Sequence, residues 1–223
     1  MSGTPPLTRA HARPNILTGV RCTPPGPIFF AHLLLARCPG SGQYVPVRRL
    51  LLTSAGVRNE SIRAALLDML GRPIEDCTAL CIPTAMYGHP HAGPGQDVWE
   101  FVAGRSQQPM VELGWKSVGL IELTALPTID EERWIPLLRT ADVLLVSGGD
   151  ALYLCHWMRE SGLTDVLPSL DETVWIGMSA GSMVMAPRIG TEFVGWSPPS
   201  GDDRALGRAQ RAPVEAHASE NVG

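Results

Sequence analysis

The segment "VWIGMSAGSMVM", residues 174–185, sets one hydroxyl among small and apolar residues. A short apolar run ends at Met178, Ser179 stands between Gly177 and Gly181, and a second apolar run with helical spacing follows. Strand, Gly-x-Ser-x-Gly, helix is the order in which a serine is carried on a sharp turn as a nucleophile. The residue types fit that chemistry. Glycines at either side let strand and helix approach without side-chain clash, and a serine held on such a turn adopts a strained backbone costing about 1–3 kcal/mol. The N–H of Ala180 and the positive end of the following helix face the same space, where an oxyanion would be stabilised. The competing reading is that Ser179 only caps a helix, as serine often does. A second segment, "LLVSGGDALYL", is another strand closed by Gly148 and Gly149 and followed by a helix. Side by side in one sheet, the two strand ends would offer two oxyanion donors, the N–H groups of Gly149 and Ala180.

These residues need a frame, and the rest of the chain predicts one. From Arg48 on, short runs apolar on both faces alternate with segments of helical spacing. "RRLLLTSAG", "TALCIPTA" (78–85), "SVGLIEL" (117–123), "DVLLVSGG" (142–149) and "VWIGM" read as strands. "NESIRAALLDMLG" (59–71), "DVWEFVAGR", "IDEERWIPLLRT" and "DALYLCHWMRESG" read as helices, the first preceded by a cap candidate and closed by Gly71. A strand–helix repeat every 25–30 residues predicts βαβ units and an α/β fold, a doubly wound and mostly parallel sheet whose sites lie at the carboxyl ends of the strands. The domain is expected over 48–200. Residues 1–47, rich in Pro and Gly, carry Arg9, Arg13, Arg21 and Arg37 and no acidic residue. They are expected to hold little regular structure, as a disordered or adventitious leader, with a transit-like segment as the alternative. Residues 201–223, with few large apolar side chains, read as an irregular tail.

Composition narrows the function. The 223 residues are 44% hydrophobic with a formal net charge of −4, enough for one globular core and without the basic footprint of a nucleic-acid binder. The longest early apolar run, "PIFFAHLLLA" (27–36), is too short to span a bilayer. Five cysteines, Cys22, Cys38, Cys77, Cys81 and Cys155, match neither a disulfide framework nor a zinc signature and favour a reducing, cytoplasmic setting. No G-x-G-x-x-G follows the first strand, which argues against dinucleotide binding.

"DVLLVSGGDALYLCHWMRESGLTDVLP" followed by "VWIGMSAGSMVMAPRIG", together with the opening "RRLLLTSAG", resembles peptidase family S51, the aspartyl dipeptidases (peptidase E) and cyanophycinases. The resemblance covers about residues 48–200. It implies a class I glutamine amidotransferase-like, flavodoxin-like fold and a serine peptidase that acts on small peptides with an N-terminal aspartate. It implies no metal and no cofactor, a small peptide as the partner, and leaves an oligomer open. By resemblance Ser179 matches the nucleophile, and Gly149 and Ala180 match the oxyanion hole. Where the family usually has Asn after the glycine pair this chain has Asp150, an added negative charge near the site.

A serine nucleophile needs a base, usually histidine, and a group that orients it. His11 and His32 fall in the leader. His89 and His91 form "GHPH" in a Gly/Pro loop with no third ligand for a metal, and His156 falls within a helix. His217 remains, 38 residues after Ser179, which fits the family's spacing though not its apolar strand ending in Pro-His. Glu192 in "IGTEFVGW" best matches the region of the family's acid, with Asp202 and Asp203 as alternatives. The family continues through further strands after its histidine, so the chain is expected to be truncated or altered at its end. On that basis a catalytically impaired remnant of the fold competes with the peptidase. An unrelated α/β-hydrolase esterase is a third reading, without the His-Gly-Gly-type loop such an enzyme would carry.

Overall fold

A computed structural model of the chain describes residues 35–37, 44–46, 49–91, 95–186 and 195–197. The chain divides into two units, Met1–Phe30 and Ala31–Gly223, and every described residue belongs to the second. Glu192, Asp202, Asp203, His217, His11 and His32 lie outside the described residues.

Strands β1 (Leu35–Arg37) and β2 (Tyr44–Pro46) form an antiparallel pair with Leu35 opposite Pro46. They lie within the stretch whose prolines predict little regular structure; the sequence between them, "CPGSGQ", is rich in turn formers that suit a ribbon. The main body then alternates as predicted. In order come β3 (Leu50–Thr53), α1 (Glu60–Leu70), β4 (Thr78–Ile82), α2 (Gln96–Val102), β5 (Ser117–Leu120) and α3 (Glu131–Thr140). They are followed by β6 (Val143–Val146), α4 (Ala151–Glu160), α5 (Leu163–Val166), β7 (Val174–Met178) and α6 (Ala180–Met183). The ends of α1 show why the pattern was readable. Asn59 Oδ1 accepts the Ile62 N–H at 2.9 Å, and Gly71, at φ 65°, closes the helix by donating its N–H to the Leu67 carbonyl, each removing an orphaned backbone group.

The five strands order as β3-β7-β6-β4-β5, and every pairing is parallel. Alternate side chains of β3, β4, β6 and β7 feed two cores. Leu51, Ala79, Cys81, Val143, Leu145, Val174 and Ile176 pack with Leu66 of α1 and Phe101 of α2. Leu144, Val146, Ile82 and Trp175 pack with Trp134 and Leu138 of α3, Leu154 and Met158 of α4 and Leu163 of α5. The sheet is therefore covered on both faces, the doubly wound arrangement expected, and strands buried on both sides need the all-apolar runs seen in the sequence. From β4 the chain moves outward to β5; from β6 it moves the opposite way to β7. The gap between β4 and β6 is thus a switch point, where crevices open beyond the carboxyl ends. Strand β5 is an edge, with Val118 39% and Leu120 52% exposed. Among the described residues no helix is long and apolar enough to cross a membrane.

Candidate active site

Strand β7 delivers Ser179 to the carboxyl edge of the sheet, and α6 begins at the next residue. Ser179 has φ 47° and ψ −108°, and it is the one non-glycine residue with positive φ among the described residues. Its side chain makes no capping hydrogen bond, so the helix-cap reading fails and the hydroxyl is left half-buried, with no hydrogen-bond partner among the described residues. A strained, unoccupied hydroxyl is what the cap hypothesis cannot explain.

The flanking glycines are required by packing. A Cβ on Gly177 would come within 2.4 Å of the Gly181 carbonyl oxygen, and one on Gly181 within 2.4 Å of the Val146 carbonyl oxygen. The turn is then bonded on every side. Ser179 donates its N–H to the Thr53 carbonyl at 2.9 Å, and Gly181 donates to the Ser147 carbonyl at 3.1 Å. Thr53 Oγ1 donates to the Gly177 carbonyl at 2.9 Å. Ser182 Oγ accepts the Thr53 N–H at 3.0 Å and donates to the Thr53 carbonyl at 2.8 Å. Trp175 Nε1 donates to the Gly181 carbonyl at 2.9 Å inside the core.

The two glycine-bearing strand ends meet as the sequence suggested. β6 and β7 pair with Val146 opposite Gly177, and a Cβ on Gly148 would lie 3.3 Å from Ser179 Cβ. Gly149, at φ 140°, crosses so close to the turn after β4 that a Cβ would fall 2.1 Å from the Ala85 carbonyl oxygen. Neither the Gly149 N–H nor the Ala180 N–H meets a hydrogen-bond acceptor among the described residues. Two such donors, carried by adjacent strand ends beside one hydroxyl, can stabilise charge developing on a carbonyl oxygen.

Asp150 behaves differently from the free charge expected beside the site. It is 1% exposed. Its Oδ1 accepts the Tyr153 N–H at 2.9 Å, and its Oδ2 accepts the N–H groups of Gly195 and Trp196 at 2.7 and 2.8 Å. Its charge is spent on backbone donors and on the N-terminus of α4. Neither this use of Asp150 nor the Ser182–Thr53 pair was readable from the sequence. A serine directly after the motif carries no signal of its own, and Asp150 reads from the sequence only as an added negative charge near the site.

None of the histidines within the described residues hydrogen-bonds the Ser179 hydroxyl. His91 donates its N–H to His89 Nδ1 at 3.2 Å in the loop after β4. His156 packs beside Trp157 and Trp196, with ring centroids 5.1 Å away in each case. Among the described residues no three His, Cys, Asp or Glu side chains converge as a metal group would need. Burial, with a smaller push from the nearby Glu122 carboxylate, raises the Tyr87 and Tyr153 hydroxyls above their ordinary value, which keeps both protonated at neutral pH. Burial also pushes the Cys81 thiol of β4 up to about 11, so it is no competing nucleophile.

The family model of peptidase family S51 matches residues 50–202. Among solved structures the chain is similar to a candidate peptidase E protein from Listeria monocytogenes EGD-e. That likeness has 18% identity and a TM-score of 0.43, over 62% of this chain and 63% of that one. It is similar also to a peptidase from an acI-B1 Actinobacterium, with 20% identity and a TM-score of 0.45, over 62% of this chain and 56% of that one. The chain thus spans less than two thirds of the length of both. No curated protein matches.

Proposed function

Because the chain belongs to peptidase family S51, we propose that it is a serine-type peptidase that hydrolyses small peptides, including those with an N-terminal aspartate. The observation that carries this reading is the backbone of Ser179, held at φ 47° between two glycines that tolerate no side chain. In the proposed reaction Ser179 Oγ attacks the peptide carbonyl carbon as a base takes its proton. The Gly149 and Ala180 N–H groups receive the oxyanion, a contribution typically worth ~10²–10³ in rate per donor. The tetrahedral adduct collapses, and the departing amine takes the proton from the base. Water, deprotonated by the same base, then cleaves the acyl ester and restores Ser179. By resemblance His217 is the base and Glu192 the group that orients it. The free thiols of Cys77, Cys81 and Cys155 suit a reducing compartment, so we read the enzyme as cytoplasmic.

Hydrolysis of an Asp-initiated dipeptide by the purified chain, beside Ser179→Ala and His217→Ala, tests the proposal. The unmutated chain is expected to turn over and both variants to be inactive with unchanged circular dichroism. Turnover retained by Ser179→Ala refutes the nucleophile assignment, and turnover retained by His217→Ala moves the base elsewhere.

A further inference from the structure

Asp150 gathers three segments that the catalytic reading leaves unconnected. Its own N–H donates to the Ala85 carbonyl at 2.9 Å, in the turn after β4. Its Oδ1 holds the first turn of α4 through Tyr153. Its Oδ2 holds the backbone of Gly195 and Trp196. The Trp196 ring then lies edge-on to Tyr153 at 5.2 Å and against His156 at 5.1 Å, so the segment rests along α4. Residue 149, the neighbour of Asp150, carries one of the proposed oxyanion donors.

The chemistry selects a carboxylate. Three amide N–H groups converge on two oxygens, and an ionised Asp is acceptor-only at both. Asparagine would keep one acceptor and turn an NH₂ group toward at least one of those donors. The side chain is fully enclosed, so each lost bond would leave an unsatisfied amide inside.

We propose that Asp150 is a positioning residue: its carboxylate fastens the Gly195–Trp196 backbone to the N-terminal turn of α4 and thereby holds the Gly149 N–H in line with Ser179. The fastening stands on geometry alone; its effect on rate rests on the peptidase reading.

Amide hydrogen exchange followed by NMR on the full chain, together with dipeptide kinetics, tests it in Asp150→Asn and Trp196→Ala. In Asp150→Asn the Gly195 and Trp196 amides are expected to exchange on the order of tenfold faster or more, while those of β6 and β7 stay protected. In the same variant kcat should fall on the order of 10²-fold with KM held, the signature of a displaced transition-state donor. In Trp196→Ala, which keeps both backbone donors, the Gly195 amide should stay protected. Unchanged exchange in Asp150→Asn, or loss of Gly195 protection in Trp196→Ala, overturns the fastening. Faster exchange with kcat unaltered overturns the positioning role. If the unmutated chain has no turnover, the peptidase reading fails, and the two amides still decide whether Asp150 is the fastener.

Discussion

Ser179 carries backbone strain of about 1–3 kcal/mol, and the bonds around it are what hold that strain in place. Ser182 is central to this, since its one hydroxyl both accepts from and donates to Thr53. Ser182→Ala would leave the Thr53 N–H without its acceptor and is expected to cost about 1–3 kcal/mol, read as a lower denaturant midpoint with unchanged m. Cys81 gives a pH test. Its thiol is raised by burial from an ordinary 9.0 to about 11. The folded state therefore holds the proton more tightly than the unfolded chain. The stability this brings is complete below about pH 9 and is lost as pH rises through about 11. Cys81→Ser, whose hydroxyl does not titrate there, should show a flatter loss in urea melts between those pH values. Ser179 was legible because its flanking glycines sit at fixed offsets. Asp150 was read as a charge near the site because a sequence shows no backbone donors, and those at Gly195 and Trp196 come from a segment 45 and 46 residues away.

At the level of elements, glycine is used for two different reasons that a substitution series separates. Gly177→Ala and Gly181→Ala each push a methyl to 2.4 Å from a backbone oxygen. No side chain can yield there, so each is expected to cost at least about 1–3 kcal/mol. Gly71→Ala meets nothing within 4 Å and pays only for its φ of 65°, about 1–2 kcal/mol. Thermal melts of the three should rank Gly71→Ala as the mildest. Strands β3, β4, β6 and β7 were legible from runs apolar on both faces, because each lies between two cores. Their ends were less so. "TALCIPTA" loses its last residues to a 3₁₀ turn, Thr84–Gly88, since the bend there follows from tertiary packing: a Cβ on Gly88 would strike the Tyr153 side chain at 2.4 Å. The helix expected after Ser179 is four residues long, Ala180–Met183, and apolar spacing alone could not bound it.

In the molecule as a whole, Ser179, Gly149 and Ala180 of the proposed site lie at the carboxyl edge of one sheet. Among the described residues before Arg48, Leu35–Arg37 and Tyr44–Pro46 form the β1–β2 ribbon and give no strand to that sheet. Deletion of residues 1–47 is expected to move the melting temperature by less than about 4 °C, the shift that roughly 1 kcal/mol produces in a domain of this size. A larger drop would mean that the segment belongs to the core. The fold class was legible because strand and helix patterns alternate along the whole of 48–178, whereas the residues proposed to complete the site, His217 and Glu192, lie in sequence without such periodicity. The central claim is that Ser179 is a nucleophile. It is tested most directly by treating the chain with a fluorophosphonate, which phosphonylates an activated serine, and mapping the adduct by peptide mass spectrometry. The account predicts a single adduct on the peptide containing residues 174–185, absent from Ser179→Ala; no adduct, or one on another serine, would contradict it.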